Sequence, residues 1–123
     1  MSEHDEQVAL FQWAQMQAGK YPELDLIYAV PNGGKRHLHT AVKLKREGVK
    51  AGVPDIFLPV ARAQYHGLYI EMKFGKNKLS EQQAWWKVKL QEQGYMCWVS
   101  YSFEDAKDII LAYLNVKWVP VQI

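Results

Sequence analysis

The chain has 123 residues, 49% of them hydrophobic, so it is long enough to form one compact domain and too short for two. Fifteen Lys and Arg residues against thirteen Asp and Glu give a net charge of +2, so the overall charge does not by itself indicate a nucleic-acid-binding protein. A single cysteine, Cys97, excludes an intrachain disulfide and a cysteine-rich zinc site, and we expect it to pack in the core.

Neither an export signal nor a membrane span is evident in the sequence. The first residues, "MSEHDEQVALF", lack the basic stretch and long apolar run of a signal peptide. No other segment approaches the roughly 18 uninterrupted apolar residues that a membrane-spanning helix needs. We therefore expect a soluble, cytoplasmic protein that forms a single domain over residues 1–123.

The first part of the chain predicts helix, strand and helix. Ser2 is a candidate N-cap for a helix whose apolar residues recur at helical spacing and that ends near Gly19. Residues 26–30 predict a buried strand, which a Pro-Asn-Gly-Gly turn ends. A basic helix follows over roughly residues 37–46.

The second part predicts two strands, a helix, a strand and a last helix. Residues 54–60 and 67–74 are expected to pair as a hairpin. Ser80 and Gln83 have the spacing of a capping box at the start of the next helix. A short buried strand over residues 95–101 precedes the final helix, for which Ser102 is the candidate N-cap. This order predicts an α/β fold in which a small mixed sheet is flanked by helices.

An acid and an amine interrupt the second strand of the predicted hairpin. Under period-2 alternation, Ile70, Met72 and Phe74 share one face, whereas Glu71 and Lys73 share the other. An exposed ion pair on an edge strand would explain this pattern without any function and contributes only about 0–1 kcal/mol. Asp55 begins the preceding strand, however, and hairpin pairing would place it beside both charged residues.

Two carboxylates and an amine at one point suit metal-assisted hydrolysis of a phosphodiester. Carboxylate oxygens with open positions for water fit Mg²⁺ or Mn²⁺, so Asp55 and Glu71 are the predicted metal ligands. Met72 lies between Glu71 and Lys73 in the sequence, and its backbone carbonyl is a further candidate ligand. The ammonium of Lys73 can orient the attacking water and offset the charge that develops on the phosphoryl oxygens.

Further motifs accompany this pattern, in which fifteen residues separate Asp55 from Glu71. The Pro-Asp…Glu-x-Lys arrangement matches the PD-(D/E)xK nucleases. Together with "PNGGKR", "KLKREGVKAGVPDIFLPV" and "KLSEQQAWW", it resembles the virus-type replication-repair nuclease domain, VRR-NUC, from near residue 2 to about residue 115. The resemblance implies a restriction-endonuclease-like core and a stand-alone, bacterial or phage-encoded nuclease that resembles Holliday junction resolvases and is often a homodimer.

The resemblance also assigns roles to individual residues. Asp55 and Glu71 match the metal-binding carboxylates of the family and Lys73 its catalytic lysine. Gln83 matches a glutamine at the start of the helix after the site. The capping box explains Gln83 equally well, and the two interpretations are compatible because both place it in the first turn of that helix.

A further glutamate of the family pattern lies on the first helix and has two candidates here. Glu3 is four residues before Gln7 and seven before Leu10, on the face expected to meet the sheet, and we prefer it for this reason. Glu6 is the alternative. The helix dipole favours an acid in the first turn of a helix, which explains either glutamate without a metal.

Basic residues are concentrated between residues 35 and 50, where six Lys and Arg stand against the single acid Glu47. A solvated helix face is the simple explanation, and phosphate binding is the functional one. The preceding turn can bring backbone amides close to a phosphate. The candidate DNA-binding residues are Asn32, Gly33, Lys35, Arg36, Lys43, Lys45 and Arg46.

Two other pairs of residues have a functional and a structural interpretation. His37 and His39 lack nearby partners at zinc-site spacing, so surface or phosphate contacts are favoured over a metal. Trp85 and Trp86 are candidates for stacking on bases, although helical spacing favours a core position for Trp86.

These patterns and the resemblance predict an Mg²⁺- or Mn²⁺-dependent DNA endonuclease that acts in DNA repair on branched DNA such as Holliday junctions. It would recognise shape and backbone, because no element for reading base edges is evident. The alternatives are a non-cleaving DNA-binding protein with the same fold and a restriction-type enzyme that cuts unbranched duplex. A homodimer would supply two active sites for symmetric incision, and the apolar residues 113–123 are a candidate interface, an ordinary edge strand being the alternative.

Overall fold

The computed structural model describes residues 2–31 and 38–116. The mixed α/β fold and the predicted order of its helices and strands are confirmed, with an additional 3₁₀ helix before the first strand. In chain order, the elements are α1 (Glu3–Gln17), the 3₁₀ helix (Pro22–Leu26), β1 (Tyr28–Ala29), α2 (Leu38–Arg46), β2 (Ile56–Leu58), β3 (Leu68–Met72), α3 (Glu81–Glu92), β4 (Met96–Ser100) and α4 (Phe103–Leu114). Within the described residues, no helix combines the length and apolar character needed to cross a bilayer.

The four strands form one mixed sheet in the order β1-β2-β3-β4. The predicted hairpin is confirmed: β2 and β3 are antiparallel, with Ile56 opposite Ile70 and Leu58 opposite Leu68. β4 is parallel to β3, because α3 carries the chain back to the other end of the sheet before β4 begins. The sheet therefore brings the end of β3 next to the start of β2.

Predicted caps begin three of the helices. The hydroxyl of Ser2 accepts a hydrogen bond from the backbone N–H of Asp5, and that of Ser102 accepts from Asp105. At α3 the capping box is complete, since the backbone N–H of Ser80 also donates to the side chain of Gln83 at 2.8 Å. These bonds satisfy amide groups that would otherwise lack partners in the first turn.

The hydrophobic core lies on the side of the sheet covered by α4, which packs against α1. Leu68, Ile70 and Met72 of β3 all point into this core, as the alternation predicts for the last two. Phe74, which was expected on the same face, lies beyond the end of β3 and is exposed. Cys97 is buried, as predicted.

The predicted buried strand over residues 26–30 is wrong in extent and in burial. Only Tyr28–Ala29 form β1, and both residues are exposed. The preceding residues form the 3₁₀ helix, in which Pro22 favours a helical first turn and Leu24 is buried in the core. Glu23 of this helix also forms an ion pair with Arg62 of the β2–β3 loop. Among the described residues, β1 is also an edge strand of the sheet, with β2 as its one neighbouring strand.

The interface predicted for the end of the chain is contradicted at one residue. Tyr113 belongs to the core of the domain itself, where its hydroxyl donates a hydrogen bond to the carbonyl of Val60 at 2.6 Å. Val116 is exposed. Residues 117–123, which contain the rest of the candidate interface, lie outside the described residues.

Candidate active site

Asp55 and Glu71 lie beside each other where β2 begins and β3 ends. The pairing of Ile56 with Ile70 places the preceding Asp55 opposite the following Glu71. One carboxylate oxygen of Asp55 accepts a hydrogen bond from the backbone N–H of Met72 at 2.8 Å. The backbone carbonyl of Asp55 accepts another from Val30 at 2.7 Å. Asp55 is therefore fixed by both neighbouring strands.

A cavity of about 1040 Å³ opens over this carboxylate pair. It lies between α1, the end of β1 and the first turn of α3. The predicted site residues that line it are Glu3, Asp55, Glu71, Met72, Lys73 and Gln83. Residues that are far apart in the chain thus converge on one space, and their individual roles stay predictions.

The carboxyl group of Glu71 is unusual because it is only 6% exposed and adjoins a second acid. Burial, the hydrogen bond with Asp55 and the negative charge of Asp55 raise the pKa of Glu71 to about 9. The ammonium of Lys73 opposes this shift, and the more distant charge of Glu3 adds to it. The pair therefore favours a proton or another cation between its oxygens at neutral pH.

Lys73 directly follows β3, and its backbone holds it in the plane of the sheet. The N–H of Lys73 donates to the carbonyl of Ser100 at 2.7 Å, which extends the pairing of β3 with β4 by one residue. Its side chain lines the cavity and is partly exposed. The ammonium is therefore available to a group that enters the cavity beside the two carboxylates.

The structure separates the two glutamates proposed for the first helix. Glu3 lines the cavity, and its charge contributes to the raised pKa of Glu71. Glu6 points elsewhere, because its carboxylate accepts a hydrogen bond from the backbone N–H of Phe103 at 3.2 Å, at the start of α4. The geometry thus places Glu3 at the site and gives Glu6 a contact between two helices.

Gln83 both caps α3 and lies at the candidate site, as the two compatible interpretations of the sequence predict. Its side-chain oxygen accepts the capping hydrogen bond from Ser80, and the residue also lines the cavity. Because that oxygen is engaged, the side-chain NH₂ group is the part of Gln83 suited to contact a ligand as a donor. The capping bond therefore orients a donor at the edge of the site.

The donor set fits a hard divalent cation. In the described residues no group of three or more His, Cys, Asp or Glu side chains is close enough to form a metal site. Mg²⁺, however, is usually bound through only one or two carboxylates and keeps several waters. The paired oxygens of Asp55 and Glu71, with the Met72 carbonyl as a candidate third ligand, match that requirement in a cavity with room for water.

One contribution of α1 was not anticipated from the sequence. Gln7, Phe11 and Gln15 line the same cavity as Glu3. These residues follow Glu3 at intervals of four, so they lie on one helix face. The spacing was the available signal, but a mixture of Glu, Gln and Phe does not mark a face as either buried or exposed.

The basic segment is described in part. Lys43, Lys45 and Arg46 lie in the last turn of α2 and are exposed. Cations in this position also offset the negative end of the helix dipole, so their location fits the structural explanation as well as phosphate binding. Asn32, Gly33, Lys35, Arg36 and His37, as well as the side chain of His39, lie outside the described residues.

Comparisons with known proteins agree with one another. A family model described as "VRR-NUC domain" matches residues 1–104. A solved structure named "VRR_NUC domain protein" is 30% identical in sequence and has a TM-score of 0.82, and the match covers 100% of this chain and 97% of that chain. No curated protein matches the sequence.

Proposed function

The chain belongs to the VRR-NUC family, and on this premise we propose that it is a divalent-metal-dependent endonuclease that cleaves branched DNA. The VRR-NUC domain points to a nuclease with DNA as its substrate. The observation that carries the metal dependence is the convergence of Asp55, Glu71 and Lys73 in one open cavity.

Asp55 and Glu71 would hold Mg²⁺ or Mn²⁺, with the backbone carbonyl of Met72 as the next ligand. When bound, the cation supplies an activated water and stabilises negative charge on the phosphate. The hydrogen bond from Met72 to Asp55 keeps one carboxylate oriented, and the β3 backbone keeps the other beside it. The chain therefore presents the two ligands without a rearrangement of the sheet.

Lys73 supplies the remaining positive charge. Its side chain shares the cavity with both carboxylates, so it can contact a phosphate oxygen or the attacking water. The NH₂ group of Gln83 would donate to the same phosphate from the other wall. Both groups stabilise charge that increases as the phosphorus–oxygen bond to the leaving group breaks.

The preference for branched DNA is supported by what the described residues offer. Exposed cations lie in the last turn of α2, where they can contact the DNA backbone. Such a surface suits recognition of shape and backbone. Symmetric cutting of a four-way junction needs two active sites, and a twofold homodimer is the simplest way to supply them.

The decisive experiment compares the unmodified chain with D55A. Labelled single-stranded, duplex, flap, fork and four-way-junction DNAs are incubated with Mg²⁺, Mn²⁺ or EDTA, and the cut positions are mapped. We expect cleavage that requires metal and is lost in D55A but kept in D108A, which removes an exposed aspartate of α4. Cleavage by D55A at the parent rate, or cleavage in EDTA, would contradict the proposed site.

The same panel distinguishes the other candidate functions. Paired, symmetric incisions in the four-way junction support the branched substrate, whereas cutting of plain duplex at one sequence identifies a restriction-type enzyme. Binding without cleavage on every DNA identifies a non-cleaving protein. Light scattering at micromolar concentration tests the homodimer, and a monomer that makes paired incisions would refute it.

A further inference from the structure

A second cavity lies on the other side of the first turn of α3. It has a volume of about 750 Å³ and is bounded by α3, the end of α2 and the loop after α2. Trp85 and Trp86 form one wall, with their rings edge to face at a centroid distance of 5.4 Å. We call this space the aromatic cavity. Trp85 is 55% exposed, so much of its indole ring is available to a ligand.

The aromatic cavity is connected to the active-site cavity. A smaller cavity of about 330 Å³ lies between them. It shares Val30 and Pro31 with the active-site cavity, and Val49, Lys50 and Trp86 with the aromatic cavity. The three spaces are therefore neighbours, and shared wall residues link the carboxylate site to the tryptophans.

The loop after α2 packs closely enough to fix the shape of the aromatic cavity. Gly52 has a φ angle of +94°, and a Cβ atom on it would lie 2.8 Å from the Cβ of Gln82. Only glycine permits this contact between the loop and α3. The wall opposite the tryptophans is therefore held in place by direct contact between the loop backbone and α3.

The chemistry of the aromatic cavity combines ring faces with positive charge. Lys45 and Lys50 line it, and the ammonium of Lys89 lies 5.9 Å from the centre of the Trp85 ring. Glu81 is the one acid among its described lining residues. An apolar peptide would leave the two lysines that line the cavity without a partner. A strand of nucleic acid uses both features, because its bases stack on aromatic rings and its phosphates bind cations.

We propose that the aromatic cavity binds an unpaired nucleobase of the DNA whose scissile phosphodiester lies at Asp55 and Glu71. The base stacks on Trp85, and adjacent phosphates contact Lys45 and Lys50. The inference rests on the proposed nuclease function and specifies that the branched DNA presents an unpaired base near the cut, at the branch point or in a single-stranded arm. Fully paired duplex would leave the cavity without its ligand.

The test measures binding of the full chain carrying K73A, which blocks cleavage, to a labelled duplex with a single-stranded tail. A matched DNA carries abasic residues throughout the tail, so that the phosphates remain and the bases are absent. We expect W85A to weaken binding to the normal tail about tenfold and to leave binding to the abasic tail unchanged, because it removes one stacking partner. W85F keeps a ring and should retain most of the affinity.

W98A is the matched control, because Trp98 is 51% exposed on β4 and lies outside the aromatic cavity. An equal loss of affinity in W85A and W98A would refute the proposal, as would an equal effect of W85A on the two tails. A change in oligomeric mass of W85A without loss of base discrimination would identify a contact between copies and also refute it.

Measurements of cleavage by the chain with Lys73 intact separate this proposal from the nuclease assignment. Base discrimination through Trp85 without any cleavage would refute the nuclease function and retain the cavity as a base-binding site. Metal-dependent cleavage with no role for Trp85 would support the nuclease function and refute the base-binding site.

Discussion

Neighbouring side chains of β3 face opposite environments. Ile70 and Met72 point into the apolar core under α4, where they are 1% and 2% exposed. Glu71 lies between them, almost as well buried, but it lies beside Asp55 and Lys73 at the active-site cavity. The same strand therefore carries the stabilising contacts of the fold on one face and the charged residues of the site on the other.

The difference between the two faces is one of energy as well as position. Burial of an aliphatic side chain stabilises the fold by about 1.5–3 kcal/mol. A buried carboxyl beside a second acid does not stabilise the fold, and its charged form is disfavoured. The core face must therefore offset what the site face costs. This division makes separate predictions for variants of the two faces.

The largest expected effect is on the core face. I70A should lower the free energy of unfolding by about 2–5 kcal/mol, because it leaves a void among residues that do not fully relax. The neighbouring E71Q keeps the hydrogen-bonding shape of a protonated carboxyl and should change stability by less than about 1 kcal/mol. Urea denaturation of both variants checks the contrast, and a large loss in E71Q would show that the site face also supports the fold.

The next effect is on turnover. K73A should reduce cleavage by about 10²- to 10³-fold, as loss of one charge-stabilising donor does, while metal affinity is kept. E71A should reduce both the cleavage rate and the metal affinity. Calorimetric titration with Mn²⁺ measures the metal affinity, and K78A, which removes an exposed lysine of the following loop, is the control. Equal loss of Mn²⁺ binding in K73A and E71A would make Lys73 part of the metal site.

A smaller effect is expected at the end of α2, outside both faces of β3. Replacing Lys43, Lys45 and Arg46 with alanine should weaken DNA binding regardless of sequence. Each lost phosphate contact lowers the slope of log affinity against log salt by about 0.9 on duplex DNA. A variant with alanine at Lys20 and Lys107 provides the comparison. An unchanged slope in the α2 variant would show that the basic turn does not contact DNA.

The smallest effect concerns a hydroxyl in the core. Burial raises the pKa of Tyr113 to about 12. The folded state therefore keeps the proton when the unfolded chain releases it near pH 10, so this stabilisation is complete below pH 10 and is lost as the pH rises toward 12.

Y113F should lose about 1 kcal/mol near neutral pH, because the hydrogen bond to Val60 is removed. Its stability should also fall less than that of the parent between pH 10 and 12. Y101F changes an exposed tyrosine and should behave like the parent. Denaturation curves across this pH range provide the measurement. If the stability of Y113F and of the parent falls equally between pH 10 and 12, Tyr113 does not cause the pH dependence.

Local features of the sequence determined much of the fold. Each helix cap joins residues three positions apart, as Ser80 and Gln83 do, so one turn of chain contains the whole interaction. Alternation on β3 placed Ile70 and Glu71 on opposite faces for the same reason, since the pleat depends on the backbone alone. The hairpin, and with it the approach of Asp55 to Glu71, followed from two adjacent strands.

Other features depended on contacts between distant segments, which no local pattern encodes. Helix spacing in the sequence favoured Glu3 over Glu6, whereas the contact of Glu6 with Phe103 depends on the packing of α1 beside α4. The 3₁₀ helix includes the first residue of a predicted strand, and it buries Leu24 in a core that distant segments complete.

The raised pKa of Glu71 and the aromatic cavity also depend on contacts between distant segments. Burial of a carboxyl requires every wall around it, and the cavity requires Gly52 to lie against Gln82, thirty positions away. The sequence by itself thus determined which residues could take part in the chemistry and on which strand face they stand. Only the tertiary structure decided which of them share a cavity, because burial and charge proximity are properties of the assembled walls.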